Sequence, residues 1–113
     1  MPEGKAILEV RGEDEFLKIV KENELVIVDF WAPWCAPCLA MAPAFEAVAR
    51  RFSGEAVFAK VNIDENMRMA MALGIRAIPT IIVFKKGKPV NARVGLMDEE
   101  ELTKMVEEHL TEA

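Results

Sequence analysis

Hydrophobic and polar positions change their spacing along the chain, and each spacing predicts a type of element. Residues 25–32 (LVIVDFWA) are almost continuously apolar and rich in β-branched side chains, which predicts a central strand covered on both faces. Shorter apolar runs bounded by turn residues predict further strands. These runs are residues 6–10, 56–63, 80–84 and 89–95, the last two joined by a Lys-Lys-Gly-Lys turn at 85–88.

Between these runs, apolar residues recur at intervals of three and four, as on one face of a helix. The periodicity predicts helices over 13–23, 38–52 and 65–73, and a last one that begins at Asp98. Asp64 is expected to cap the third helix and Gly74 to end it. The inward face of the last helix is expected to carry Leu102, Met105, Val106 and Leu110.

The predicted order of elements is strand, helix, strand, helix, strand, helix, strand, strand, helix. Helical crossovers join parallel strands, and the late hairpin adds an antiparallel one. We therefore predict a three-layer α/β fold with a mixed sheet of about five strands and helices on both faces. A length of 113 residues, without repeats or a flexible linker, predicts one domain spanning 1–113.

The charge and the apolar content of the chain limit the kinds of surface that it can bind and where it is expected to act. Fourteen Lys and Arg residues against nineteen Asp and Glu give a net charge of −5, which argues against a nucleic-acid or anionic-membrane surface. No run approaches the roughly 20 apolar residues of a membrane span. The first residues, Met-Pro-Glu-Gly-Lys, lack the basic and apolar regions of a secretory signal. We expect a cytoplasmic protein.

Two cysteines, Cys35 and Cys38, follow the central strand and open the second helix. A disulfide between them would close too short a loop to add much stability to the fold. Two thiols are also too few for a closed zinc site, so no metal is expected. A C-x-x-C pair beside a strand–helix–strand pattern is typical of redox chemistry. Free N–H groups at the helix start stabilise a thiolate, and Pro37 suits the first turn. We expect Cys35 to attack and the deeper Cys38 to resolve.

Asp29 interrupts the apolar strand, and period-two alternation places it on the same face as Leu25, Ile27 and Trp31. A covered carboxyl group has a raised pKa, which would make Asp29 a base near neutral pH, acting on Cys38. An aspartate at a strand end with its side chain in solvent is an equally good interpretation of the sequence alone.

For Lys60, Trp31 and Trp34, the sequence pattern alone indicates a role less specifically. Lys60 interrupts the strand at 56–63, and an exposed lysine is the favoured interpretation from the residue alone. Trp31 is expected in or beside the core, whereas Trp34, in a proline-flanked loop, is expected to be exposed. Trp34 could form a docking patch for an extended substrate together with Pro37, Ile78, Pro79 and Leu96.

Three methionines alternate in the third helix, at Met67, Met69 and Met71. Thioether sulfurs could ligate a soft ion such as Cu(I). Only Met67 and Met71 share a helical face, however. We therefore expect all three to fill the core.

The stretch from Phe30 to Cys38, FWAPWCAPC, resembles the active site of the thioredoxin family, whose pattern is W-C-G-P-C. Further segments are similar to the family, and the similarity covers residues 6–110 in element order. They are Pro43 in the active-site helix, KVNIDEN at 60–66, GIRAIPT at 74–80, FKKGK at 84–88 and Val94-Gly95. One position departs from the pattern: Ala36 stands where the family has glycine, which leaves the redox potential and the substrate range open.

The resemblance implies a role for each matching residue. By it, Cys35 is the nucleophile and Cys38 the resolving thiol, while Asp29 is the buried acid and Lys60 its partner. Pro79 is then a cis-proline facing the disulfide. The resemblance also implies a substrate groove bordered by the loop that contains Gly95. Trp31 and Trp34 match the two tryptophans of the family's site, and Ala36 and Pro37 form the dipeptide between the cysteines that affects docking.

The function implied is that of a protein-disulfide reductase and electron carrier acting by dithiol–disulfide exchange. It needs no cofactor beyond the Cys35–Cys38 disulfide and acts as a monomer on disulfide-containing proteins. A thioredoxin reductase, linked to NADPH or to ferredoxin, regenerates its thiols. Alternatives are a disulfide oxidase or isomerase, whose dipeptide commonly contains histidine, a chaperone or binding module without redox turnover, and a metal site pooled from two chains.

Overall fold

Five strands form one mixed sheet in the computed structural model of the protein, which describes residues 6–110. The elements follow the predicted order. They are β1 (Ile7–Glu9), α1 (Glu13–Glu22), β2 (Leu25–Trp31), α2 (Ala36–Arg51), β3 (Val57–Asn62), α3 (Met67–Ala72), β4 (Thr80–Lys85), β5 (Lys88–Val94) and α4 (Glu99–Leu110). Residues 1–5 and 111–113 of the predicted domain lie outside the described residues.

The strands lie side by side in the order β1-β3-β2-β4-β5. β1, β3 and β2 are parallel, whereas β4 is antiparallel to β2 and β5 is antiparallel to β4. The predicted mixed sheet is confirmed. β2 is central, and the side chains of 25–30 are all buried, as the continuous apolar run requires.

Alternate residues of β2 belong to two separate cores. Leu25 and Ile27 pack in one core with side chains of α2 and α4, and Val26, Val28 and Phe30 pack in the other with side chains of α1 and α3. The sheet is therefore covered by helices on both faces, and the predicted three-layer α/β arrangement is confirmed.

A reciprocal pair of hydrogen bonds begins α4. The Glu101 backbone N–H donates to Asp98 Oδ1 at 2.8 Å, and the Asp98 N–H donates to Glu101 Oε1 at 2.9 Å. This capping box confirms Asp98 as the cap. Leu102, Met105 and Val106 are buried, while Leu110 is only half-buried.

The prediction for the start of α3 is wrong. Asp64 does not cap it, because the chain turns for two further residues and the helix begins at Met67, after Asn66. A turn precedes it because the Asp64 N–H donates to Asn62 Oδ1 at 2.9 Å. The end of α3 is as predicted: Gly74 follows it with a φ of 75°, a conformation that favours glycine.

The prediction for the methionines of α3 is confirmed only for Met69, which is 6% exposed. Met67 and Met71 are 65% and 75% exposed. α3 is a single short helix against the sheet, so its outer face remains in solvent. No described helix is long and apolar enough to cross a membrane.

Candidate active site

The two cysteines lie where β2 passes into α2. Cys35 is the N-cap residue of α2, and a disulfide joins it to Cys38, with the two Cα atoms 5.3 Å apart. The backbone N–H of Cys38 donates to Cys35 Sγ at 3.2 Å. The sulfur thus takes the place of a capping oxygen, in the position where the helix terminus stabilises a thiolate. Cys35 is 5% exposed and Cys38 is 1% exposed, which is the expected order.

A second loop approaches the disulfide from the start of β4. The Ile78–Pro79 peptide bond is cis, as the resemblance implied, and the Ile78 carbonyl oxygen lies 3.8 Å from Cys35 Sγ. The Gly95 N–H donates to the Pro79 carbonyl oxygen at 2.8 Å. The structure therefore brings the loops containing Pro79 and Gly95 together beside the cysteines.

A groove of about 480 Å³ runs beside the exposed edge of the disulfide. Its described lining residues are Trp34, Cys35, Ala36, Pro37, Ile63, Ile75, Arg76, Ala77 and Ile78. Trp34 is 67% exposed, as expected, and its indole N–H donates to the Asp64 carboxylate at 2.9 Å. Leu96 is 57% exposed, but it lies outside this groove, as do Pro79 and Gly95.

Asp29 is completely buried, so the alternative of a solvent-exposed aspartate is wrong. Neither of its carboxyl oxygens has a hydrogen-bond partner within residues 6–110. Burial raises the pKa of Asp29 to about 7, and the positive charge of Lys60 acts in the opposite direction. A carboxyl group with this pKa exchanges its proton near neutral pH.

Lys60 lies directly beside Asp29 in the sheet, since the two are register partners on β3 and β2. It is half-buried, so the interpretation as an exposed strand lysine is wrong. Its Nζ lies 4.6 Å from the centroid of the Trp31 ring. Trp31 is itself half-buried at the end of β2.

Comparison with known proteins assigns the chain to a family. Residues 7–108 match the family model described as Thioredoxin. The chain belongs to the thioredoxin family. It shares 45% of residues over 93 positions with thioredoxin 1 of Nostoc sp., which covers 82% of this chain and 87% of the relative. With the thioredoxin of Staphylococcus epidermidis, the identity is 41% over 105 residues, covering 93% of this chain and 99% of that one.

Solved thioredoxin structures have the same fold. A mutant thioredoxin from Halobacterium salinarum superposes with a TM-score of 0.89 at 33% identity, covering 100% of this chain and 99% of that chain. Plasmodium falciparum thioredoxin superposes with a TM-score of 0.84 at 35% identity, covering 90% and 98%. With its C-x-x-C disulfide, the protein is a thioredoxin-type protein-disulfide oxidoreductase.

This thioredoxin-family site includes residues that the sequence analysis did not single out. Ile75, Arg76 and Ala77 line the groove, and Asp64, which the sequence analysis considered only as a helix cap, accepts a hydrogen bond from the Trp34 indole. All four lie inside the segments KVNIDEN and GIRAIPT that carry the resemblance, which is the signal that could have found them. The described residues hold no group of three or more His, Cys, Asp and Glu side chains suited to a metal ion.

Proposed function

We propose that the protein is a disulfide reductase that carries electrons from a reductase to disulfide-containing proteins. The observation that supports it best is the N-terminus of α2, which directs the Cys38 N–H at Cys35 Sγ while Cys38 itself is almost fully buried. A thiolate at Cys35 is stabilised there and faces the groove, and Cys38 is kept from solvent and substrate.

The exchange needs two steps. The Cys35 thiolate attacks one sulfur of a substrate disulfide, forms a mixed disulfide and releases the first substrate thiolate. Cys38, after losing its proton, attacks Cys35 Sγ, forms the intramolecular disulfide and releases the second substrate thiolate. Two electrons pass to the substrate, and no cofactor beyond the cysteine pair takes part.

Asp29 is the proposed base for the second step. Its burial and its pKa of about 7 suit a group that takes a proton from a thiol near neutral pH. Lys60 adjusts this base through its positive charge. The Cys38 thiol gives up its proton to Asp29, directly or through one water, as the mixed disulfide is resolved.

The groove is the proposed substrate site. Trp34, Ala36, Pro37 and Ile78 supply its apolar surface beside Cys35. Pro79, Gly95 and Leu96 supply the neighbouring loop edges, along which an extended segment of the substrate lies. Ala36 adds a methyl group to this surface where the family has glycine.

The remaining proposals concern the setting of the reaction. A thioredoxin reductase, linked to NADPH or to ferredoxin, returns electrons to the Cys35–Cys38 disulfide. We place the protein in the cytoplasm, where thiols are kept reduced, as a monomer with one domain over 1–113. Sedimentation of the purified chain tests the monomer, and limited proteolysis tests the single domain.

The experiment that tests the function is the reduction of insulin with dithiothreitol as electron source. Cys35→Ser should abolish the reaction because the attacking thiolate is gone. Cys38→Ser should instead accumulate a mixed disulfide between Cys35 and the substrate. Met67→Leu, a change at an exposed position on α3, serves as the control and should reduce insulin normally.

The opposite pattern, with normal turnover in Cys38→Ser and trapping in Cys35→Ser, would reverse the assigned roles. Equilibration with glutathione then separates the proposed reductase from an oxidase or isomerase. A reductase should have a potential near the roughly −270 mV of reducing thioredoxins, and an oxidase one closer to −120 mV, as in strongly oxidising relatives of this type.

A further inference from the structure

Three neighbouring strands place a row of charged side chains on the face of the sheet that carries Asp29. Asp29 on β2 is the register partner of Lys60 on β3, and Lys60 is the register partner of Glu9 on β1. Register partners on adjacent parallel strands lie about 4.8 Å apart and project from the same face. Lys60 therefore stands between a buried carboxyl group and an exposed one.

The Lys60 ammonium pairs with neither of these acids. No ion pair joins it to Asp29 or Glu9 in the described part of the chain. Its Nζ lies instead 4.6 Å from the centroid of the Trp31 ring. Trp31 shares the face because it lies two residues beyond Asp29 on the same strand. The indole face attracts the cation through the ring quadrupole.

We propose that Trp31 is a positioning residue, whose indole face holds the Lys60 ammonium and so limits how strongly this cation stabilises ionised Asp29. The inference rests on the proposed function, in which Asp29 takes the proton of Cys38. A cation that moves closer to a carboxylate favours its charged form and makes it a weaker base. By restraining Lys60, Trp31 keeps Asp29 able to hold a proton near neutral pH.

The groups around Lys60 determine where the ammonium goes when the ring is removed. The charged side chains that line the same hollow are Glu9, Arg11, Lys60 and Glu65. On the other sides of Asp29, β4 presents Ile81 as its register partner, and α2 and α4 contribute apolar side chains to the adjoining core. The buried titratable side chain of α4, His109, lies instead against Asn91 on β5, with its Nε2 3.2 Å from the amide nitrogen. Once ionised, Asp29 attracts Lys60 more strongly than Glu9 does, because Asp29 is buried and its oxygens have no hydrogen-bond partner among the described residues.

The test is a carbon-13 NMR titration of the Asp29 carboxyl group in the oxidised protein. Trp31→Leu keeps an apolar side chain but removes the ring face, and we expect it to increase the Asp29 ionisation constant about tenfold. Lys60→Met should decrease that constant. In the Lys60→Met background, Trp31→Leu should have almost no further effect. Trp31→Phe, which retains an aromatic face, should stay close to the wild type.

If Trp31→Leu changed the Asp29 ionisation constant equally in the wild-type and in the Lys60→Met protein, the inference would be overturned. The ring would then act only by packing or by excluding water. A decreased ionisation constant in Trp31→Leu would overturn it too. If Trp31→Leu does not fold, the wild-type protein still provides a test. The Lys60 ε-methylene protons should show an upfield ring-current shift, and ordinary chemical shifts would refute the contact.

The titration needs no turnover, so it is independent of the insulin assay. If insulin reduction is normal and the Asp29 ionisation constant does not depend on Trp31, this inference is refuted while the proposed function stands. The expected titration in a protein that does not reduce insulin would refute the proposed function instead. In an active protein, the pH profile of the resolving step should shift to lower pH in Trp31→Leu, which a merely structural role would not produce.

Discussion

Replacing Asp29 with asparagine should stabilise the folded protein increasingly as the pH rises. Burial raises the pKa of Asp29 from 3.8 to about 7. A difference of one unit between the pKa values in the folded and unfolded states corresponds to about 1.4 kcal/mol of stability. Ionised Asp29 therefore costs the folded state about 4 kcal/mol relative to the unfolded chain. Asparagine has no proton to lose, and its amide is as poorly partnered as the protonated acid that it replaces.

The pH range of this effect follows from the direction of the change in pKa. The folded state holds the Asp29 proton more tightly than the unfolded chain, so the free energy of unfolding falls as the pH rises from about 4 to about 7. Below about pH 4, both states are protonated and the two proteins should have similar stability. Above about pH 7, both states are ionised, and the advantage of Asp29→Asn should approach about 4 kcal/mol.

Urea unfolding of the oxidised proteins, followed by tryptophan fluorescence between about pH 4.5 and 8.5, measures this difference. Asp14→Asn is the matched control, because Asp14 is an exposed acid in the first turn of α1. Its difference from the wild type should vary little over the same range. A gap between Asp29→Asn and the wild type that stays constant with pH would refute the reasoning, since Asp29 would then ionise as an exposed acid does.

Three further predictions concern Ala36, the exposed methionines of α3 and the hydrogen bond between Asp64 and Trp34. Ala36→Gly should change the redox potential, measured against glutathione, by less than about 20 mV, because the helix start is expected in both redox forms. The stability of each form should fall by at most ~1 kcal/mol, and a change in potential of about 60 mV would refute the reasoning. Hydrogen peroxide should convert Met67 and Met71 to sulfoxides well before the buried methionines, as peptide mass spectrometry would show, and equal rates would contradict the exposures. Asp64→Asn should weaken the charge-assisted hydrogen bond to Trp34 and raise the KM for insulin severalfold with little change in kcat, and an unchanged KM would show that the bond does not orient Trp34 for substrate.

Periodicity was sufficient to predict the layers of this fold. The apolar run at 25–32 required a strand covered on both faces, and alternation along it placed Asp29 on the same face as Leu25 and Ile27. The structure confirms the burial of all three. These features are predictable because they depend on the spacing of side chains along one element.

Features that depend on a tertiary partner were not predictable in this way. Asp64 has the side chain of a good helix cap, but its carboxylate accepts a hydrogen bond from Trp34, which lies 30 residues earlier. Met67 and Met71 are apolar enough for a core, yet no described element covers their face of α3. The cis bond before Pro79 has no signal in periodicity, and only the resemblance of the surrounding segment implied it.

The position of Lys60 shows the same limit within the site itself. The sequence places it on a strand, and the resemblance pairs it with Asp29, but neither indicates that its ammonium lies over Trp31. Two acids and one ring are within reach of this long side chain, and their distances determine which it contacts. Which of these partners the Lys60 ammonium contacts can be determined only from the three-dimensional structure.

The burial of Asp29 connects the stability of the fold with the proposed chemistry. β2 needs two buried faces to hold the cores together, and the same burial keeps Asp29 protonated up to about pH 7. A more exposed carboxyl group would ionise freely and leave the fold more stable at high pH, but it would be a poor base for a thiol. The pH near which folded Asp29 exchanges its proton, about 7, is therefore the pH at which its cost to stability approaches its full value. Variants of Asp29, Lys60 and Trp31 should move the pH dependence of unfolding and that of the resolving step together, because both depend on one ionisation.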